Sequence, residues 1–250
     1  MSDRGVLRRP LPYRQFNATT WLIGITIGTY FLVLALPAQL GVAVLRPLVL
    51  AREGTIWQLV TYLFLHNGAF HLFFNMLMLF LFGSAVEQEV GSPEFLTLYL
   101  FCGVLAGVFS TILALVSAVP VAILGASGAV YGVLLAYAVL NPRQIVTFWF
   151  IPMRATSMVL ILGGLALVFQ ITGQRTHVAH LTHLGGLLAG FIYLRVRLRI
   201  ARWMRFGVDD GSSATPGTNT MFSFFAQTHY NYHRLMYTLA ALCRTSACHR

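Results

Sequence analysis

The 250-residue chain has no lysine, so all of its 17 basic side chains are arginine. It has only seven acidic residues, and charged residues make up 10% of the chain, against about 25% in an ordinary soluble domain. A soluble fold of this length could bury a good core, but it would also need a polar surface that this composition cannot supply. With 57% hydrophobic residues, the chain is read as an integral membrane protein. The three cysteines, Cys102, Cys243 and Cys248, are odd in number and scattered, which excludes a disulfide framework; they are read as structural or incidental. The net charge of +10 could suggest nucleic acid. A nucleic-acid patch needs a solvated face, however, whereas these arginines cluster between apolar runs, so membrane topology accounts for them better. The first apolar run, Ala18 to Val44, is longer than a signal-peptide core and lacks a small-residue cleavage site; a retained span is expected there.

Six segments are apolar enough to be read as spans: about Thr19–Leu40, His71–Val86, Phe95–Ser117, Ser127–Leu140, Ala155–Thr172 and Val178–Leu194. The second and fourth are short for a full crossing. Each is preceded by uncharged sequence, Ile56–Phe70 and Val119–Ala126, and irregular backbone at membrane depth must be buried by protein or line water. These two stretches are therefore read as walls of a cavity. Ile145–Met153 is read as an interfacial segment. With the N-terminus inside, the inner side receives eleven arginines (Arg4, Arg8, Arg9, Arg14, Arg143, Arg154, Arg195, Arg197, Arg199, Arg202 and Arg205) and the outer side three (Arg46, Arg52 and Arg175). The bias predicts N-in, C-in. Residues 1–18 are expected to be a cytoplasmic segment, 19–205 the core, and 206–250 a cytoplasmic tail. The tail opens on the linker-like Asp209–Gly217 and carries Leu235–Cys243, a run too short to span and read as a surface helix.

In this topology the second, fourth and sixth spans all run inward from the outer face. The polar residues in their first turns, His71 and Asn75, Ser127, and His183, then reach one depth from three segments. Polar groups in spans usually face a protein interior or water. No carboxylate is read inside any span. Ser127 lies in Gly125-Ala126-Ser127-Gly128-Ala129-Val130-Tyr131-Gly132, inside sequence that is uncharged from Phe95 to Pro142. Taken alone, Gly128 and Gly132 form a helix-packing GxxxG. A second such pair, Gly186 and Gly190, follows His183, so two glycine-faced helices could bring a serine and a base within reach. Tyr131 shares the Ser127 helix face and could hold the imidazole by stacking. His71 and Asn75 share a face and could donate to an oxyanion together with the Ser127 N–H.

Five stretches in order resemble the rhomboid family of intramembrane serine proteases: Trp57-Gln58-Leu59-Val60-Thr61-Tyr62-Leu63-Phe64-Leu65-His66, His71-Leu72-Phe73-Phe74-Asn75, Gly83-Ser84-Ala85-Val86-Glu87, Gly125-Ala126-Ser127-Gly128, and Ala179-His180-Leu181-Thr182-His183-Leu184-Gly185-Gly186. The resemblance covers about residues 19–205. The resemblance implies an all-α bundle of six transmembrane helices and a Ser127–His183 dyad. It also implies an oxyanion site at His71 and Asn75, with Tyr131, Gly125 and Gly128 in support. It implies no metal or cofactor, membrane-protein substrates with one or several spans that are cut near the outer face within the bilayer, small residues at the cleaved bond, and a lateral gate at the fifth span or first outer loop. The setting it suggests is a prokaryotic plasma (inner) membrane. The oligomeric state and natural substrate are left open. Two departures stand out: Gln58 follows Trp57 where many members have arginine, a contact then absent or supplied by Arg52, and a second histidine, His180, precedes His183 by three residues, although the Gly185-Gly186 pair that follows at fixed spacing selects His183. Two rivals remain. One is an inactive rhomboid-like binding or retention protein. The other is a metal-dependent protein using His177, His180 and His183, although no HExxH is present and no acid lies near them.

Overall fold

The computed structural model describes residues 16–36, 41–117, 120–148, 150–172 and 177–206. The expectations for Arg4 to Arg14, Arg175, the linker, the tail after Phe206, Cys243 and Cys248 fall outside them.

The described residues are mostly helical. Helix α1 is Ala18–Ala35, followed by short helices α2, Pro47–Glu53, and α3, Gln58–Thr61, which tightens into a 3₁₀ turn at Tyr62–Phe64. Helix α4 runs Ala69–Val90 with a π-turn at Leu79–Gly83. Helix α5 is Ser92–Val116 and α6 is Ser127–Leu140. A hairpin of β1, Ile145–Phe148, and β2, Ile151–Arg154, pairs Ile145 with Arg154 and leads into α7, Ala155–Ile171. Helix α8 is His177–Phe206. Helices α1, α4 and α5 are each long and apolar enough to cross a membrane. Trp21, Phe31, Phe70 and Phe80 are exposed large side chains on these helices, a surface suited to lipid and costly in water. The chain is an integral membrane protein.

Several boundaries differ from the sequence reading. Helix α4 continues past the Val86 expected for the second span to Val90, and Glu87 is buried. Its carboxylate accepts the Ala18 N–H at 2.6 Å, the Thr19 N–H at 2.9 Å and the Ser92 hydroxyl at 2.5 Å. An acid is stable there because the first amides of α1 have no helical partners and carry the positive end of the helix dipole. The expectation that no carboxylate lies within a span therefore fails at Glu87. Ile145–Met153 is mostly a β-hairpin, favoured by the β-branched Ile145, Val146 and Thr147. Helix α8 runs through its arginines to Phe206, since arginine is a good helix former.

The helix directions follow from contacts at one end of the bundle. Besides the Glu87 cluster, Glu89 accepts from the Asn141 amide after α6. Glu94 accepts from the Tyr193 hydroxyl at 2.5 Å and pairs with Arg197 at 2.6 Å. The start of α1, the end of α4, the start of α5, the end of α6 and residues 193–197 of α8 therefore share one end. The starts of α4, α6 and α8 lie toward the other. Helices α5, α6 and α8 pack mutually and form the centre.

Candidate active site

The end away from the acids is built by two irregular segments held side by side. Leu45 and Ile123 exchange backbone hydrogen bonds, and the Gly125 N–H donates to the Tyr62 carbonyl at 2.9 Å. Tyr62 is fully buried, and its hydroxyl donates to the Gly103 carbonyl of α5 at 2.7 Å. Gln58 is also buried: its Oε1 accepts the Arg46 N–H at 3.0 Å and its Nε2 donates to the Val42 carbonyl at 3.1 Å. A side chain that many members replace by arginine thus pins the first connecting segment here, while Arg52 is exposed.

The turn into α6 needs glycine at Gly125, whose φ is +121°. A Cβ there would also lie 2.7 Å from His71 Cε1, so the imidazole occupies the space the missing side chain leaves. Ser127, half-buried, is the first residue of α6. The early amides of that helix have no carbonyl one turn back and concentrate positive potential at Ser127. Asn75 is buried and its amide donates to the His71 carbonyl at 2.8 Å.

Helices α6 and α8 meet backbone to backbone. A Cβ on Gly186 would sit 2.0 Å from the Gly128 carbonyl oxygen, and one on Gly190 would sit 3.0 Å from Gly132 Cα. One on Gly128 would meet Ala106 Cβ at 2.7 Å and Thr182 Cγ2 at 3.1 Å. The residues next to Ser127 and next to His183 are therefore in contact. Tyr131 and His183 stack nearly parallel, with centroids 4.4 Å apart and planes at 6°. His180 meets His183 edge-on at 6.1 Å.

Ser127, His183, His71, Asn75, Tyr131, Gly125 and Gly128 thus gather at one end of the bundle. The Ser127 hydroxyl and His183 imidazole share no hydrogen bond among the described residues; such pairs are commonly loose before substrate arrives. Two features escaped the sequence reading. One is the buried pair of Ser110 and Thr182 hydroxyls, 2.8 Å apart beside Gly128. The other is His66, buried and accepting the Ala126 N–H at 3.3 Å. His66 closes the first of the five matching stretches, five residues before His71, but no role was read for it there. The described residues contain no group of three or more His, Cys, Asp or Glu suited to a metal ion; the His177 side chain lies outside them.

Residues 53–200, more than half of the chain, match the Rhomboid domain, and the chain belongs to the rhomboid family. Rhomboid protease GluP of Bacillus subtilis is 34% identical over 145 residues, a match covering 57% of this chain and 26% of that protein. Rhomboid-like protein 11, chloroplastic, of Arabidopsis thaliana is 30% identical over 191 residues, covering 72% of this chain and 65% of its own. Rhomboid protease GlpG of Haemophilus influenzae is 25% identical over 142 residues, covering 57% and 70%. The matched stretch spans about a quarter of GluP and 33% of RHOMBOID-like protein 1 of Arabidopsis thaliana. Two of these relatives, GluP and GlpG, are rhomboid proteases by name.

Proposed function

We propose that this chain is an intramembrane serine endopeptidase that cleaves transmembrane segments of other membrane proteins near the outer membrane face. The observation that carries the reading is the flat stacking of Tyr131 on His183. Tyr131 lies one turn after Ser127, and helical side chains lean toward the N-terminus. An imidazole stacked on Tyr131 is therefore held over the turn that begins with Ser127.

In the proposed reaction the Ser127 Oγ attacks the scissile carbonyl carbon while His183 takes the hydroxyl proton. The C–N bond then breaks, His183 returns the proton to the leaving amine, and an acyl-enzyme remains. Water hydrolyses that ester with His183 again as base. The Ser127 N–H, His71 and Asn75 would hold the oxyanion, aided by the α6 dipole. A substrate helix must unwind to present its carbonyl, so helix-weakening residues near the cut should favour cleavage. The six-span, N-in and C-in topology is part of the proposal and rests on the arginine bias; a prokaryotic plasma (inner) membrane setting is also part of it and rests on the family resemblance.

The test is reconstitution with a single-span substrate carrying glycine near its outer end. Wild type is expected to cleave, with or without EDTA, while Ser127→Ala and His183→Ala are silent. Cleavage by either variant at the wild-type rate removes the dyad, and loss of cleavage in EDTA revives a metal. A folded wild type that binds such substrates without cutting them supports the binding or retention role instead.

A further inference from the structure

His66 sits at the candidate site with no part in the scheme above. It is 7% exposed, and its Nε2 accepts the N–H of Ala126, the residue immediately before Ser127. The amide before that, Gly125 N–H, is held by the Tyr62 carbonyl. One short segment, residues 62–66, thus grips two consecutive amides that lead into the proposed nucleophile. The His66 ring also packs obliquely on His71, with centroids 5.0 Å apart. It therefore touches both sides of the proposed oxyanion site, the backbone before Ser127 and the His71 imidazole that fills the space at Gly125.

The chemistry specifies one tautomer. A nitrogen that accepts an N–H cannot carry a proton, so the His66 proton belongs on Nδ1. That nitrogen is buried and makes no hydrogen bond. A buried donor left unsatisfied costs about 1–3 kcal/mol, which an apolar side chain of similar size would avoid. Packing alone does not account for histidine at this position. A lone pair aimed at the Ala126 amide does.

We propose that His66 is a positioning residue: neutral and protonated on Nδ1, it fixes the Ala126 amide and thereby the orientation of the Ser127 amide and hydroxyl. The inference rests on the reading of Ser127 as nucleophile. It predicts an effect on turnover more than on substrate binding, because the orientation matters most when the oxyanion forms.

Wild type, His66→Leu and His66→Gln are compared in proteoliposomes, with kcat and KM measured separately and the folded fraction followed by thermal unfolding. His66→Leu is expected to lower kcat about 10- to 100-fold at unchanged KM. His66→Gln, whose side-chain carbonyl can accept the same N–H, is expected to recover most of that loss. A folded His66→Leu with wild-type kcat, or a folded His66→Gln no better than leucine, overturns the proposal. Should the leucine variant fail to fold, 15N NMR of histidine-labelled wild type decides, with the His66 signal assigned by its loss in His66→Gln. A neutral ring with bare Nε2 is expected, and a proton on Nε2 overturns the assignment. A wild type that cleaves nothing sinks the enzymatic reading instead, and the NMR result still tests the tautomer.

Discussion

Gly186 of α8 packs so closely on Gly128 of α6 that a methyl group on Gly186 would stand 2.0 Å from the Gly128 carbonyl oxygen. The obstacle is backbone within a helix, so the helices must part to admit any side chain. That contact sets the separation of the two segments that carry Ser127 and His183.

Gly186→Ala is therefore expected to destabilise the fold by about 1–3 kcal/mol, the usual cost of overpacking, and to lower activity about 100-fold by displacing the pair by about 1 Å. Gly164→Ala, where a Cβ meets nothing within 4 Å, is the control expected to leave both unchanged. Thermal unfolding in detergent and cleavage in vesicles check the two effects.

Tyr131 stacks on His183 through its ring face, and a ring stack of this kind is worth about 0.5–1.5 kcal/mol. Tyr131→Phe is expected to keep most activity, and Tyr131→Ala to lose roughly tenfold or more in kcat, as an unanchored imidazole samples other orientations. Equal loss in both variants would mean the hydroxyl, not the ring, carries the effect.

Glu87 lies at the far end of the bundle and accepts three hydrogen bonds that tie α1, α4 and α5 together. Glu87→Gln puts an amide donor against an amide N–H and is expected to cost roughly 1–3 kcal/mol. Turnover per folded molecule should be unchanged. Unfolding midpoints and kcat measured on the same preparation separate the two; a fall in kcat without loss of stability would contradict this account.

What the sequence disclosed follows from how local each cause is. The glycine pairs at Gly128/Gly132 and Gly186/Gly190 could be read because small-residue spacing is a pattern within one helix. The common direction of the helices bearing His71, Ser127 and His183 could be read because charges mark the ends of apolar runs. The end of α4 was misread for the same reason: Glu87 looks like a stop unless its three donors, two of them on α1, are known. The hairpin at 145–154 is set by pairing across a turn, which composition alone does not show. The histidine at His66 acquires its meaning from an amide 60 residues away, beyond any local pattern.

The central claim is that Ser127 is a nucleophile activated by His183, and the most direct measurement is where a fluorophosphonate probe bonds to the folded protein. Peptide mass mapping is expected to find the adduct on Ser127 in wild type, none at that position in Ser127→Ala, and strongly slowed labelling in His183→Ala. An adduct mapped to another serine, such as Ser110, or labelling that proceeds at the wild-type rate without His183, would contradict the account.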